Sequence, residues 1–203
     1  MKLYYSRNLN PRVAVAVARH LEAPVEFVRA SPRNPKNESA FRAINPNTLV
    51  PVLVEQGRTL WETDAIACRL SALTKPDFWP GADNAPELQM CLSWSAHHFT
   101  RAASVFYWEN VIKPMLGLGA ADGDALRAGA DDFHRFAGVL EDVLVSRTWL
   151  VGDELSYADF RVATPLPFAE ASKLPLQQYT HIRKWHDRLW ELAAWREPFA
   201  GLE

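Results

Sequence analysis

The chain has 203 residues, enough for one large domain or two small ones with real cores. Its 22 basic and 24 acidic residues leave a net charge of -2 with 48% hydrophobic residues, which excludes the basic, high-pI footprint of a nucleic-acid binder. No stretch approaches the roughly 18 uninterrupted apolar residues of a membrane helix, and Met-Lys-Leu-Tyr-Tyr-Ser lacks the parts of a signal peptide, so a cytoplasmic protein without nucleic-acid or membrane partners is expected.

Residues 2–5 read as a short strand. After Asn8-Leu9-Asn10-Pro11 the segment 12–22 is ambiguous: its alternating valines suggest a strand, its alanines and length a helix, with Pro11 suited to the first position. Val25–Val28 reads as a second strand, Ser31–Pro35 as loop, and Glu38–Ile44 as a short helix stopped by Asn45-Pro46. Val50–Val54 is an apolar strand with a proline at its start, Gly57-Arg58 a turn, and Thr59–Trp61 the return strand. A helix follows from about Thr63 to Leu73. Residues 76–86, rich in proline and glycine, mark a linker between a first domain over 1–75 and a second over 87–203. Helical segments then appear at about 87–112, 122–146, 157–170 and 180–194. Cys68 and Cys91 fall in apolar helical patterns and read as buried small hydrophobes. Two cysteines make neither a disulfide framework nor a zinc spacing, and no metal is expected.

Three local sequences occur in this order: NPNTLVPVL (Asn45–Leu53), WETDAI (Trp61–Ile66) and WLVGDELSYADF (Trp149–Phe160). Together they resemble the glutathione transferase superfamily. The resemblance implies a thioredoxin-like α/β half (β-α-β-α-β-β-α) that binds glutathione, followed by an all-helical bundle. It also implies glutathione as co-substrate, a small electrophile or disulfide as second substrate, a homodimer, and a cis bond before Pro51.

Residue chemistry agrees. Proline has no backbone donor and belongs at a strand's start, and a cis Val50-Pro51 turn offers the Val50 backbone to an extended peptide as an added strand. Leu49, Val50 and Pro51 are therefore candidate glutathione contacts. Glu62-Thr63 opens a helix: Thr63 is read as its cap, the free N–H groups receive a carboxylate, and Glu62 supplies a negative charge for an ammonium. Both signs suit the zwitterionic γ-glutamyl end, though an N-cap beside an acidic residue accounts for the same pattern. Ser156-Tyr157-Ala158-Asp159 has capping-box spacing and reads as folding machinery.

Activation of the thiol needs a donor. KLYYS resembles the opening of bacterial classes that use a cysteine a few residues later, and this chain has Leu9-Asn10-Pro11 there. Asn10 offers a neutral amide donor at a helix start. Ser6, Asn8 and Tyr5 are the fallbacks, and a site without any catalytic donor stays open. At helical spacing Trp94, Arg101, Val105 and Trp108 share one face, with His97 or His98 at its margin. This is either an aromatic wall for the second substrate (Trp94, His98, Arg101, Trp108) or packing and dimer contact. A non-catalytic transferase-like module is the competing reading of the whole chain.

Overall fold

A computed structural model describes residues 1–202. The chain divides into two compact units, one of residues 1–79 together with the chain from 191 onward, the other of residues 80–190.

The first unit runs β1 (Lys2–Tyr5), α1 (Leu9–His20), β2 (Glu26–Arg29), α2 (Glu38–Arg42), β3 (Val52–Glu55), β4 (Arg58–Trp61) and α3 (Thr63–Leu73). The sheet order is β2-β1-β3-β4. Strand β1 is parallel to β2 and antiparallel to β3, and β3 pairs antiparallel with β4. This is the thioredoxin-like arrangement that the sequence implied. The ambiguous segment is helix, and the cause of the ambiguity is its burial. Val13 through Ala18 are at most 1% exposed, and a helix enclosed on every side shows no polar stripe to set its period. The helix begins at Leu9, so Pro11 is its third residue, where the missing N–H has no intrahelical acceptor to lose. Strand β3 starts at Val52, two residues after the expected Val50, beyond the cis Val50-Pro51 bond. Leu3, Tyr5, Leu53, Ile66 and Leu70 fill the core on the α1–α3 side, all at most 1% exposed. Tyr4 points the other way, edge-on to Phe41 of α2 at 5.9 Å.

The expected boundaries shift at the carboxyl end. The helical domain does not extend to 203: residues from 191 onward, including α11 (Ala193–Arg196), pack in the first unit. The reason is aromatic. Trp195 is fully buried, with the Arg12 guanidinium 4.8 Å from its ring. Phe199 stacks on Tyr5 at 5.6 Å. The expected linker forms two 3₁₀ turns, and Phe78 in the first is buried against the His20 ring at 4.9 Å.

The second unit starts with a continuous helical rod: α4 (Ala85–Trp94), a π-turn at Ser95–Phe99, α5 (Thr100–Tyr107), a π-turn at Trp108–Ile112 and α6 (Lys113–Met115). Asp122 caps α7 (Gly123–Leu144), accepting the Asp124 and Ala125 N–H groups at 2.9 and 3.2 Å. Rod and α7 pack tightly at Gly129: a Cβ there would stand 2.9 Å from Val105 Cγ1. The expected helix 157–170 breaks into α8 (Tyr157–Val162), a 3₁₀ turn at Leu166–Phe168 and α9 (Ala169–Ser172), since Pro165 and Pro167 withdraw two helix donors. Helix α10 (Thr180–Trp190) follows. The Ser156–Asp159 capping box is present. Cys68 departs from expectation: it is exposed, on the outer side of α3, because Ile66, Ala67 and Leu70 take the inner face. Cys91 is half-buried, and burial pushes its thiol up to about 11.

Candidate functional site

Strand register gathers most of the predicted residues at one end of the sheet. Val52 faces Trp61 across the β3–β4 ladder and Tyr4 across β1–β3. Val50 and Pro51 lead into Val52, Glu62 and Thr63 follow Trp61, and Tyr5 and Ser6 follow Tyr4, so these three segments leave the ladders at the same end of the sheet. One hydrogen bond adds Asn10: the Thr63 hydroxyl donates to the Asn10 carbonyl at 3.3 Å, tying the first turns of α1 and α3 together.

That bond changes the reading of Thr63. The residue is 3% exposed and is the first residue of α3 rather than its cap. Its hydroxyl serves α1, and the cap position belongs to Glu62. Glu62 is exposed and holds φ 73°, ψ 130°, a conformation that costs a non-glycine residue on the order of 1–3 kcal/mol. Its carbonyl accepts the Ile66 N–H at 3.1 Å, so the α3 amides before Ile66 have no acceptor inside the helix.

The approach to Pro51 is set by a residue that sequence reasoning passed over. Asn45 is 2% exposed; its amide donates to the Leu49 carbonyl at 2.8 Å and its side-chain oxygen accepts the Asn47 N–H at 3.0 Å. The Asn-Pro-Asn signal was legible as a turn, but not the grip on Leu49. Leu49 is 43% exposed and Val50 half-buried. No hydrogen bond among the described residues occupies the Val50 N–H or C=O.

The candidate thiol donors differ in access. Asn10 is exposed in the first turn of α1, and Asn8 is exposed as its N-cap residue without a side-chain cap bond. Ser6 is half-buried at the end of β1. Tyr5 is 1% exposed and enclosed by Phe27 and Phe199.

Residues 1–68 match the family model of the glutathione S-transferase N-terminal domain, and residues 121–193 match that of the C-terminal domain. The chain belongs to the glutathione S-transferase superfamily. It is 28% identical to glutathione S-transferase 3 of Zea mays over 87% of this chain and 78% of that protein. It is also 28% identical to FtsZ-localized protein A of Caulobacter vibrioides, over 83% and 77% of the two chains. In fold it is similar to glutathione S-transferase I from maize in complex with an atrazine glutathione conjugate, with a TM-score of 0.87 at 22% identity over 98% and 96% of the chains.

The four residues expected to line a second-substrate wall have different surroundings. Trp94 stacks on Phe99 at 5.8 Å and meets Phe136 of α7 edge-on. His98 lies 4.8 Å from the Phe136 ring. Arg101 is exposed, and Trp108 is 45% exposed in the second π-turn. A π-turn takes more residues per turn than an α-turn. The one at Ser95–Phe99 therefore breaks the register between Trp94 and Arg101 on which the shared face was read. Among the described residues no three His, Cys, Asp or Glu side chains cluster as metal ligands, and no helix is long and apolar enough to cross a membrane.

Proposed function

We infer that this protein is a glutathione-dependent enzyme whose activity on small disulfides exceeds its conjugation of aromatic electrophiles. The observation that carries the reading is the Thr63–Asn10 bond. It fixes the α1 and α3 N-termini side by side at the sheet end where Val50 and Glu62 lie. Glutathione's cysteinyl unit pairs with the Val50 backbone, its γ-glutamyl carboxylate meets the α3 amides, and Glu62 receives the ammonium. The thiol then lies toward the α1 start, where the Asn10 amide and the helix dipole favour a thiolate.

A neutral donor lowers a thiol from about 8.5 less than a charge does, so conjugation is slow. Disulfide exchange tolerates this, since thiolate nucleophilicity falls as its pKa falls. The thiolate attacks the glutathionyl sulfur of a mixed disulfide, the S–S bond breaks, and the departing thiolate takes a proton from water as glutathione disulfide forms. Location in the cytoplasm and a homodimer complete the proposal. The exposed Met90, Val139 and Val143 along an apolar groove of about 250 Å3 between α4 and α7 support the dimer.

The test is steady-state kinetics with a pH titration of bound-thiolate absorbance for wild type, Asn10→Ala, Ser6→Ala and Tyr5→Phe. Asn10→Ala should lose roughly tenfold in turnover, about 1.4 kcal/mol, with little change in glutathione affinity. If it titrates and turns over like wild type while another variant collapses, the donor is elsewhere. A non-catalytic glutathione-binding module is the second reading, favoured by the missing serine or cysteine. Retention on immobilised glutathione with no turnover in any of the four proteins would establish it.

A further inference from the structure

We propose that the segment from Glu191 to Leu202 is a strap that positions the thiol-handling stretch 6–10, the loop 6–8 with the first two residues of α1, and that Arg7 is the positioning residue through which it acts. The role assigned to the loop rests on the glutathione reading above.

Three arginines bind this segment, one in the loop and two on α1. Arg7 Nη2 donates to the Leu202 carbonyl at 3.2 Å, Arg12 Nη2 to the Trp195 carbonyl, and Arg19 Nη2 to the Ala200 carbonyl at 2.7 Å. Two of the three also face rings of the segment: Arg7 lies 5.4 Å from the Phe199 centroid and Arg12 lies 4.8 Å from that of Trp195. Phe199 in turn stacks on Tyr5, the last residue of β1. Among the described residues none of the three guanidiniums pairs with a carboxylate. A guanidinium is a planar, directional donor, suited to such forks on carbonyls and rings.

The cluster brackets the loop. Tyr5 is held at its start by Phe199, and Arg12 just past its end is 5% exposed, its burial pushing the guanidinium down to about 10. The Asn8 carbonyl accepts the Arg12 N–H at 2.9 Å, the bond that opens α1, and the Asn10 carbonyl accepts the Thr63 hydroxyl. Arg7 is the member of the cluster inside the loop, one residue from Ser6 and three from Asn10. Releasing Arg7 removes a tie from the stretch that leads into Asn10, and a donor held less firmly stabilises a thiolate less.

The test compares wild type, Arg7→Gln, Arg7→Lys and Phe199→Leu in the full chain. Arg7 is exposed, so its variants should fold. Backbone hydrogen–deuterium exchange over residues 6–10 is expected to quicken severalfold in Arg7→Gln and Phe199→Leu, with β3–β4 unchanged. Turnover is expected to fall about tenfold with the glutathione KM within twofold, the bound-thiol titration moving to higher pH and Arg7→Lys recovering part of both. Unchanged exchange over 6–10 would overturn the strap. So would faster exchange with wild-type turnover and titration, a loosening that leaves catalysis untouched. If wild-type protein neither binds nor turns over glutathione, the glutathione reading fails separately. The exchange measurement then decides alone whether the segment holds the loop.

Discussion

Removing the Asp159 carboxylate should cost more than an ordinary helix cap. Its Oδ1 accepts the Leu150 N–H at 3.0 Å and the Trp185 indole N–H at 2.9 Å. Oδ2 accepts the Ser156 N–H at 3.0 Å and the Ser156 hydroxyl at 3.3 Å. All of these atoms are buried with Asp159 at 0% exposure. Asp159→Ala leaves three N–H donors without an acceptor, at about 1–3 kcal/mol each and less than additively. Part of this is offset, because burial outweighs those hydrogen bonds and pushes the carboxyl up to about 6. The net loss is about 3–5 kcal/mol, the range for breaking a buried partner, or a fall in Tm of roughly 6–20 °C for a chain of this size. The pH dependence follows from the same shift. Between the unfolded value near 3.9 and the folded value near 6 the native state holds the extra proton. This contribution is therefore complete below about pH 4 and is lost as pH rises through 6. Urea titrations at pH 4.5 and 7 should show the gap between wild type and variant narrowing at the higher pH, while activity per folded molecule stays normal. A gap that widens would mean that the ionised carboxylate is the stabilising form. Normal stability with lost turnover would make Asp159 a catalytic acid.

Glu62→Ala should weaken glutathione binding by about 1–3 kcal/mol, as for a lost charge-assisted bond, and unchanged calorimetric affinity would remove it from the site; Thr63→Ala, which only unties α3 from the Asn10 carbonyl, should lower turnover more than affinity. Glu62→Gly should bind as weakly as Glu62→Ala yet melt higher, because glycine accepts φ 73° without strain. Gly129→Ala should destabilise by about 1–3 kcal/mol through overpacking on Val105, read by urea denaturation, and Val105→Ala should restore part of it. Glu141 accepts the His181 and Ile182 N–H groups at 2.9 and 3.0 Å, so Glu141→Ala should lower stability by about 1 kcal/mol at the α10 start. Light scattering at micromolar concentration should report a mass near twice 22.9 kDa if the homodimer forms.

Local signals carried most of the fold. Prolines, glycines and asparagines punctuate the first 75 residues, and Ser156 to Asp159 has a spacing that only a capping box uses well. What sequence missed is non-local or conformational. The acceptor of the Thr63 hydroxyl lies 53 residues away, and the cover over Tyr5 comes from Phe199, at the opposite end of the chain. Glu62 has nothing in its identity to announce a positive φ. The two π-turns have no compositional mark, yet they decide where Trp94 and Trp108 point. Val50, Glu62 and Thr63 can be named from short motifs that flank paired strand residues, and Asn10 from its place before Pro11 at a helix start.

That the first unit is completed by residues from 191 onward also has a consequence for synthesis on the ribosome. After Trp79 has been made, 111 more residues must be added before Glu191 appears, about 6–22 s at typical elongation rates. Through that interval Tyr5 lacks Phe199 and Arg12 lacks Trp195. The nascent first unit thus carries an uncovered aromatic and an unburied arginine, and its final packing waits until residues 191–202 have been made.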